Sequence, residues 1–111
     1  MKDLVNMPLE ECRPDTPPMP PAKVEACMRA LPGWRIAMVD GIQHLTRTFE
    51  FKDFKAALDF TNQVGAAAEA DNHHPELLTA WGKVTVSWWT FTVRGLHIND
   101  FILAAKTDQL F

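Results

Sequence analysis

Two adjacent histidines in a short polar segment are the residues of this chain best suited to chemistry. The segment at positions 69–75 reads EADNHHP and contains His73 and His74. An imidazole titrates near neutral pH and can both donate and accept a proton. A carboxylate such as Glu69 can orient or polarise one ring. The segment predicts a proton-transfer or ligand-binding site, although histidines beside a proline also occur as ordinary loop residues.

The residue spacing supports other chemistries less well. The remaining histidines, His44 and His97, form no helical i, i+4 pair with the segment, so no metal site is predicted. Cys12 and Cys27 have no CxxC spacing and are predicted to be free thiols in a reducing compartment. The glycines are too scattered for a phosphate-binding loop. We therefore expect no bound cofactor and no metal.

The composition is that of one small globular domain. The chain has 111 residues, of which 47% are hydrophobic and 23% charged, so a wholly disordered chain and a coiled coil are excluded. The net charge of -3 argues against nucleic acid as a partner. We expect no membrane span, because no apolar run is long enough, and no secretion signal at the start. A cytoplasmic protein is the expectation.

Proline divides the chain into two parts. Six of the eight prolines fall within residues 1–21, a density that excludes a regular helix or an interior strand. We predict a proline-rich tail over 1–21 that contributes little to the core, followed by a folded domain over 22–111. The tail is either a disordered leader or an arm that docks on a partner.

Hydrophobic periodicity predicts the elements that precede the histidines. Apolar residues at helical spacing indicate a short helix over 22–31. Two extended runs, 34–39 and 44–51, flank the turn dipeptide Asp40-Gly41 and predict a hairpin. Asp53 is a candidate N-cap for a second helix that should end near Ala70.

The elements after the histidines complete the fold. Strands are predicted over 77–81 and 83–91, with Val84, Val86 and Trp88 on one face of the second strand. A last helix should begin at Asn99 or Asp100. The order αββαββα predicts an α+β fold with two layers, an antiparallel four-stranded sheet with three helices packed on one face.

The histidine segment and its flanks resemble the signature of the pterin-4a-carbinolamine dehydratases, which include dimerisation cofactors of a hepatocyte transcription factor. The resemblance covers about residues 22–108. It implies that His73 and His74 are catalytic, with Glu69 in support. It also places the substrate-binding positions at His73, His74, Pro75, Trp81, Phe91 and Asp100.

One position departs from the family pattern. The family's third active-site histidine falls on Phe91. Family members dehydrate 4a-hydroxytetrahydropterin, so an acid must protonate the leaving hydroxyl and a base must accept the N5 proton. A phenyl ring can do neither. His97, six positions further on, would lie at a different depth in the site.

Family resemblance and an incomplete site together favour a non-enzymatic role. The combination resembles a divergent branch encoded with α-carboxysome components, whose members act as RuBisCO assembly factors. The resemblance implies a bacterial protein associated with the carboxysome, RuBisCO as a partner, a possible pterin ligand, and a homodimer or tetramer. Charge and hydropathy predict no nucleic acid and no membrane as partners. Two other functions remain open, namely an active 4a-hydroxytetrahydropterin dehydratase and a pterin-binding or coactivator-like module.

Overall fold

Three α-helices and four strands alternate along residues 3–111, the part of the chain that this computed structural model describes. The helices are α1 (Pro21–Arg29), α2 (Phe54–Asp71) and α3 (Ile98–Leu110). The strands are β1 (Arg35–Val39), β2 (Ile42–Glu50), β3 (Glu76–Ala80) and β4 (Lys83–Trp88). Short 3-10 turns occur at Leu4–Asn6 and Phe91–Val93. The predicted α+β fold and its αββαββα order are confirmed.

The four strands form one antiparallel sheet in the order β1-β2-β4-β3. The β1–β2 hairpin turns at Asp40-Gly41, where both residues have positive φ, 52° and 79°. Positive φ at both central residues is the requirement of a type I′ turn, and the hairpin predicted from this dipeptide is confirmed. β3 and β4 form a second hairpin that turns at Trp81-Gly82.

Buried apolar residues alternate with more exposed ones along the central strand β4, and together with buried residues of its neighbour β2 they build the core. Val84, Val86 and Trp88 of β4 are buried, as predicted, and Leu45 and Phe49 of β2 lie beside them in the register. The buried stripe of α2 packs against this face and consists of Ala57, Phe60, Val64 and Ala68. The indole N–H of Trp88 donates to Thr107 Oγ1 on α3 at 3.1 Å, so the largest buried side chain keeps its polar group paired.

The two ends of α2 decide where the histidines lie. Asp53 caps the helix by accepting a hydrogen bond from the backbone N–H of Ala56 at 2.8 Å, as predicted. At the other end Asn72 adopts the left-handed conformation, with φ 49°. A left-handed residue stops a helix and redirects the chain. His73 and His74 therefore lie outside the helix, in a short segment without regular structure that leads into β3.

β4 is shorter than predicted. The sequence indicated a strand as far as Phe91, but pairing with β2 ends at Trp88. Beyond it the chain folds back on itself, because Thr90 forms an isolated bridge with Gly95 and Arg94 takes a left-handed φ of 54°. Aromatic residues favour strands but do not supply a pairing partner, so the extension was wrong.

The N-terminal segment packs on the domain. Leu4 is only 4% exposed and belongs to the main core cluster, and Met7, Leu9 and Met19 are partly buried against it. The backbone N–H of Met19 donates to the carbonyl of Leu96 at 3.4 Å. The expectation that this segment contributes little to the core was wrong, because prolines prevent regular structure without preventing burial of the apolar residues between them.

Candidate functional site

A cavity of about 560 Å³ opens between the segments that follow α2 and β4, the first turn of α3 and the N-terminal segment. This volume lies in the range of small-molecule sites. The lining is mostly polar, with two aromatic rings, and consists of Glu10, Cys12, Asn72, His73, His74, Trp89, Thr90, Phe91, Thr92 and Asn99. Both predicted histidines therefore face one cavity.

His73 is held by a carboxylate that is completely buried. Its Nε2 donates to Asp100 Oδ1 at 2.9 Å, while the His73 side chain is 14% exposed and that of Asp100 is 0% exposed. The other Asp100 oxygen, Oδ2, accepts from Thr90 Oγ1 at 2.8 Å and from the backbone N–H of His97 at 2.9 Å. With Nε2 bound to Asp100, Nδ1 is the His73 nitrogen available to a ligand.

The second histidine has a different environment. His74 Nε2 donates to Glu69 Oε2, but the two side chains are 54% and 78% exposed. Water screens an ion pair at such a position, so Glu69 orients the ring more than it changes its chemistry. The structure therefore places a rigid imidazole and a solvated imidazole side by side.

Two aromatic rings line the cavity: that of Phe91 is exposed to solvent, and that of Trp89 is packed against another ring. Phe91 lies in the 3-10 turn after β4 and is 78% exposed, so its ring is at the mouth of the cavity. Trp89 is half-buried and stacks flat on His44, with ring centroids 3.8 Å apart and an interplanar angle of 2°. Trp89 thus offers the cavity a fixed aromatic surface.

Three of the predicted binding positions, Pro75, Trp81 and Asp100, do not line this cavity, and Asp100 lies behind His73 as its hydrogen-bond partner. Trp81 lies at the β3–β4 turn, at the opposite end of that hairpin from the histidines, and is 73% exposed. Pro75 separates His74 from β3 without lining the cavity. His97 caps α3 by accepting the backbone N–H of Asn99 on its Nδ1 at 3.2 Å. His97 therefore does not take the place of an imidazole at position 91.

Several cavity residues were not identified from the sequence. Thr90 and Asn99 gave no signal that linked them to the histidines. Glu10 lies 89 positions before Asn99, with which its backbone is hydrogen-bonded. The sequence feature nearest to Asn99 is the capping box of His97 and Asp100. It indicates where α3 starts, but it does not indicate that this helix end meets the histidines.

The cysteines provide no nucleophile to this site. Cys12 and Cys27 are both free, as predicted. Burial, together with the charge of Asp100, raises the pKa of the Cys12 thiol, so this side chain stays protonated at neutral pH. Within residues 3–111 no three histidine, cysteine, aspartate or glutamate side chains are grouped to hold a metal ion. Over the same residues no helix is long and apolar enough to cross a membrane.

Comparison with known proteins identifies the family. The family model for pterin 4 alpha carbinolamine dehydratase matches residues 17–110. A solved structure from Brucella melitensis, described as a transcriptional coactivator/pterin dehydratase, is 34% identical, with a TM-score of 0.75 over 84% of this chain and 97% of that chain. The matched region includes His73, His74 and Asp100. The chain therefore belongs to the pterin-4a-carbinolamine dehydratase family.

Proposed function

We propose that the cavity binds a 4a-hydroxytetrahydropterin and that His73 is its main acid–base group. The observation that carries this proposal is the hydrogen bond from His73 to the fully buried Asp100, at the wall of a cavity of about 560 Å³. The sequence alone favoured a non-enzymatic role because of Phe91. The cavity favours ligand chemistry, because one imidazole is positioned and a second lies beside it.

The dehydration requires two proton movements. The C4a–O bond breaks and the hydroxyl leaves as water after it gains a proton, while the N5–H bond gives its proton to a base. His73 can accept a proton on Nδ1 while Asp100 holds the opposite nitrogen and stabilises the resulting imidazolium. His74 also lines the cavity and is the candidate for the second transfer. Trp89 supplies a flat surface suited to a bicyclic ring.

Phe91 makes this a slow dehydratase under the proposal. The resemblance places an imidazole at this position, and a positioned acid or base contributes about 10²–10⁴-fold in rate. Phe91 lies at the cavity mouth without filling the cavity, since its side chain is 78% exposed. The ligand space is therefore retained although one proton-transfer group is missing.

The decay of a freshly generated 4a-hydroxytetrahydropterin, followed by absorbance, tests the proposal. We expect the purified chain to accelerate the decay above the buffer rate and His73→Ala to remove the acceleration. Gln63→Ala, on the exposed face of α2, is the matched control and should keep the wild-type rate. Decay at the buffer rate with the wild-type chain would refute dehydration, and binding of a stable dihydropterin would then support a pterin-binding module.

A second candidate is the RuBisCO assembly factor of α-carboxysomes. The observation that favours it is the exposed ring of Phe91 where the resemblance expects an ionisable group. An exposed aromatic residue suits a protein interface. The yield of assembled RuBisCO from purified subunits, read on native gels, should rise with the wild-type chain and fall back with Phe91→Ala. Phe54→Ala, an exposed phenylalanine on α2, is the control. An unchanged yield with the wild-type chain would exclude this candidate.

The resemblance also leads us to propose that the chain forms at least a dimer. β1 and β3 are the two edges of the sheet, and edge strands commonly pair between subunits. Sedimentation velocity tests this, and a monomer at micromolar concentration would contradict it.

A further inference from the structure

The N-terminal segment crosses the cavity and is held there by one buried side chain. The backbone N–H of Glu10 donates to Asn99 Oδ1 at 2.7 Å, and Asn99 Nδ2 donates to the carbonyl of Glu10 at 2.7 Å. Asn99 is only 4% exposed. The amide side chain thus pairs with both polar groups of one backbone residue, as a neighbouring strand would.

The same segment forms one wall of the cavity. Glu10 and Cys12 line the cavity of about 560 Å³ together with the histidines. On its other side Glu10 lines a smaller space of about 180 Å³ that also contacts Lys23 and His97. Glu10, at the centre of residues 8–12, which we call the strap, therefore lies between two open spaces, and the Asn99 contacts hold its backbone there.

The strap is anchored on both sides, and it is held in the middle by the Asn99 hydrogen bonds and by Leu9, which is partly buried against the core. Leu4 is buried before the strap, and the Met19 backbone bonds to Leu96 after it. Between these anchors the chain has no helix or strand. A segment of this kind depends on a few specific contacts for its position.

The strap and His73 are held by neighbouring residues. Asn99 binds the strap, while Asp100, the next residue, binds His73. Both residues lie in the first turn of α3, which His97 caps. The position of the wall relative to His73 is thus set by one helical turn.

We propose that the strap forms one wall of the ligand cavity and that Asn99 is the positioning residue that holds the strap against the cavity. Release of Asn99 would open the cavity on the side of Cys12 and weaken the hold on a bound ring. The choice of a pterin as the ligand rests on the proposed function, whereas the closed position of the strap does not.

Two variants release the strap from opposite sides. Asn99→Ala removes both hydrogen bonds to the Glu10 backbone and the contact from Asn99 Nδ2 to Cys12 Sγ. Glu10→Pro removes the N–H donor while it leaves Asn99 in place. Glu11→Pro is the matched control, because none of the Asn99 contacts involves Glu11. If Asn99→Ala does not fold, Glu10→Pro still tests the strap.

The first measurement does not depend on the ligand. In a Cys27→Ser background, the rate at which iodoacetamide labels Cys12 reports how accessible this half-buried thiol is. The rate is divided by the thiolate fraction taken from the pH dependence of labelling, because Asn99 lowers and Glu10 raises the pKa of the Cys12 thiol. We expect at least a tenfold faster rate in Asn99→Ala and in Glu10→Pro, and the parent rate in Glu11→Pro. Equal rates in all four proteins would overturn the proposal.

The second measurement uses 7,8-dihydrobiopterin as the probe and tryptophan fluorescence as the signal, since Trp89 lines the cavity. We expect the Kd to rise about tenfold in Asn99→Ala and Glu10→Pro and to stay unchanged in Glu11→Pro. Faster labelling with an unchanged Kd would show that the strap is not a wall for the ligand and would overturn that part. A wild-type chain that does not bind the probe would contradict the proposed function, and the labelling rates would then decide on the strap alone.

Discussion

Asp100 is the residue on which the site depends most. Its two oxygens accept hydrogen bonds from His73, Thr90 and the backbone of His97, although the residue is fully buried. Burial of a polar group without partners costs free energy, so these three donors are needed as a set. Asp100 thereby joins α3, the turn after β4 and the histidine pair.

We expect Asp100→Asn to lower both stability and activity. An amide presents N–H₂ where one oxygen stood, so one of the three donors faces another donor. Loss of a buried hydrogen bond with an unpaired group costs about 1–3 kcal/mol in the free energy of unfolding. Urea unfolding measures this change. Asp59→Asn, which breaks only an exposed pair with Lys55, should change it by less than about 1 kcal/mol. Equal effects of both substitutions would contradict the role of Asp100.

A second prediction at this scale concerns the missing imidazole. We expect Phe91→His to raise the dehydration rate by about 10²-fold or more, because an acid or base returns to the cavity mouth. The exposed position tolerates the change without loss of core packing. The absorbance assay measures the rate. Trp81→His, at an equally exposed aromatic far from the cavity, is the control and should have no effect. An unchanged rate for Phe91→His would show that more than one group is missing.

At the scale of elements, the N-terminal segment shows that a region without regular structure can belong to the core. Leu4 is buried in a short 3-10 turn, and α3 is the helix against which that turn packs. A segment rich in proline loses less conformational entropy on ordering, since proline already restricts the backbone. A few apolar anchors are then sufficient to hold it.

Leu4→Ala tests this anchoring. We expect the free energy of unfolding to fall by about 2–3 kcal/mol, as for other buried leucines truncated to alanine. Thermal or urea unfolding measures the loss. Leu78→Ala, at a leucine that is 65% exposed on β3, should change stability by less than about 0.5 kcal/mol. If the two leucines behaved alike, the segment would not be anchored as the structure describes.

At the scale of the whole molecule, stability should depend on pH through His97. Burial is the main cause that lowers the pKa of this imidazole from 6.5, and the charges of His73 and Lys23 lower it further. The negative charges of Asp100 and Glu10 raise the pKa, but by less than burial lowers it. The native state thus favours neutral His97, whose Nδ1 must stay unprotonated to cap α3. The unfolded chain binds the proton more readily than the native state does. The contribution of His97 to stability is therefore complete above pH 6.5 and is lost as the pH falls below that value.

We therefore expect the free energy of unfolding to decrease between pH 7 and pH 5, as measured by urea unfolding at several pH values. His97→Ser keeps an N-cap acceptor and removes the titrating group. The decrease should be smaller in this variant than in the wild-type chain. An equal decrease in both proteins would assign the pH dependence to other groups.

Hydrophobic periodicity and the turn and cap residues of the sequence were enough to predict the fold. The alternation of Val84, Val86 and Trp88, the Asp40-Gly41 turn and the Asp53 cap each depend on neighbours within a few positions, so they could be read locally. The motif at His73 and His74 was equally local. These features determined the element order, the core face of β4 and the place of the histidines after α2.

Only the tertiary structure decided what surrounds the histidines. The pairing of His73 with Asp100 spans 27 positions and that of Glu10 with Asn99 spans 89. Contacts of this kind depend on how helices and loops pack, and local propensity contains no information on them. The end of β4 at Trp88 and the burial of Leu4 have the same origin, because a strand needs a partner and an apolar residue needs a surface. The sequence therefore identified the histidine pair and, through the family resemblance, Asp100, and packing determined the hydrogen bond between His73 and Asp100 and the cavity beside them.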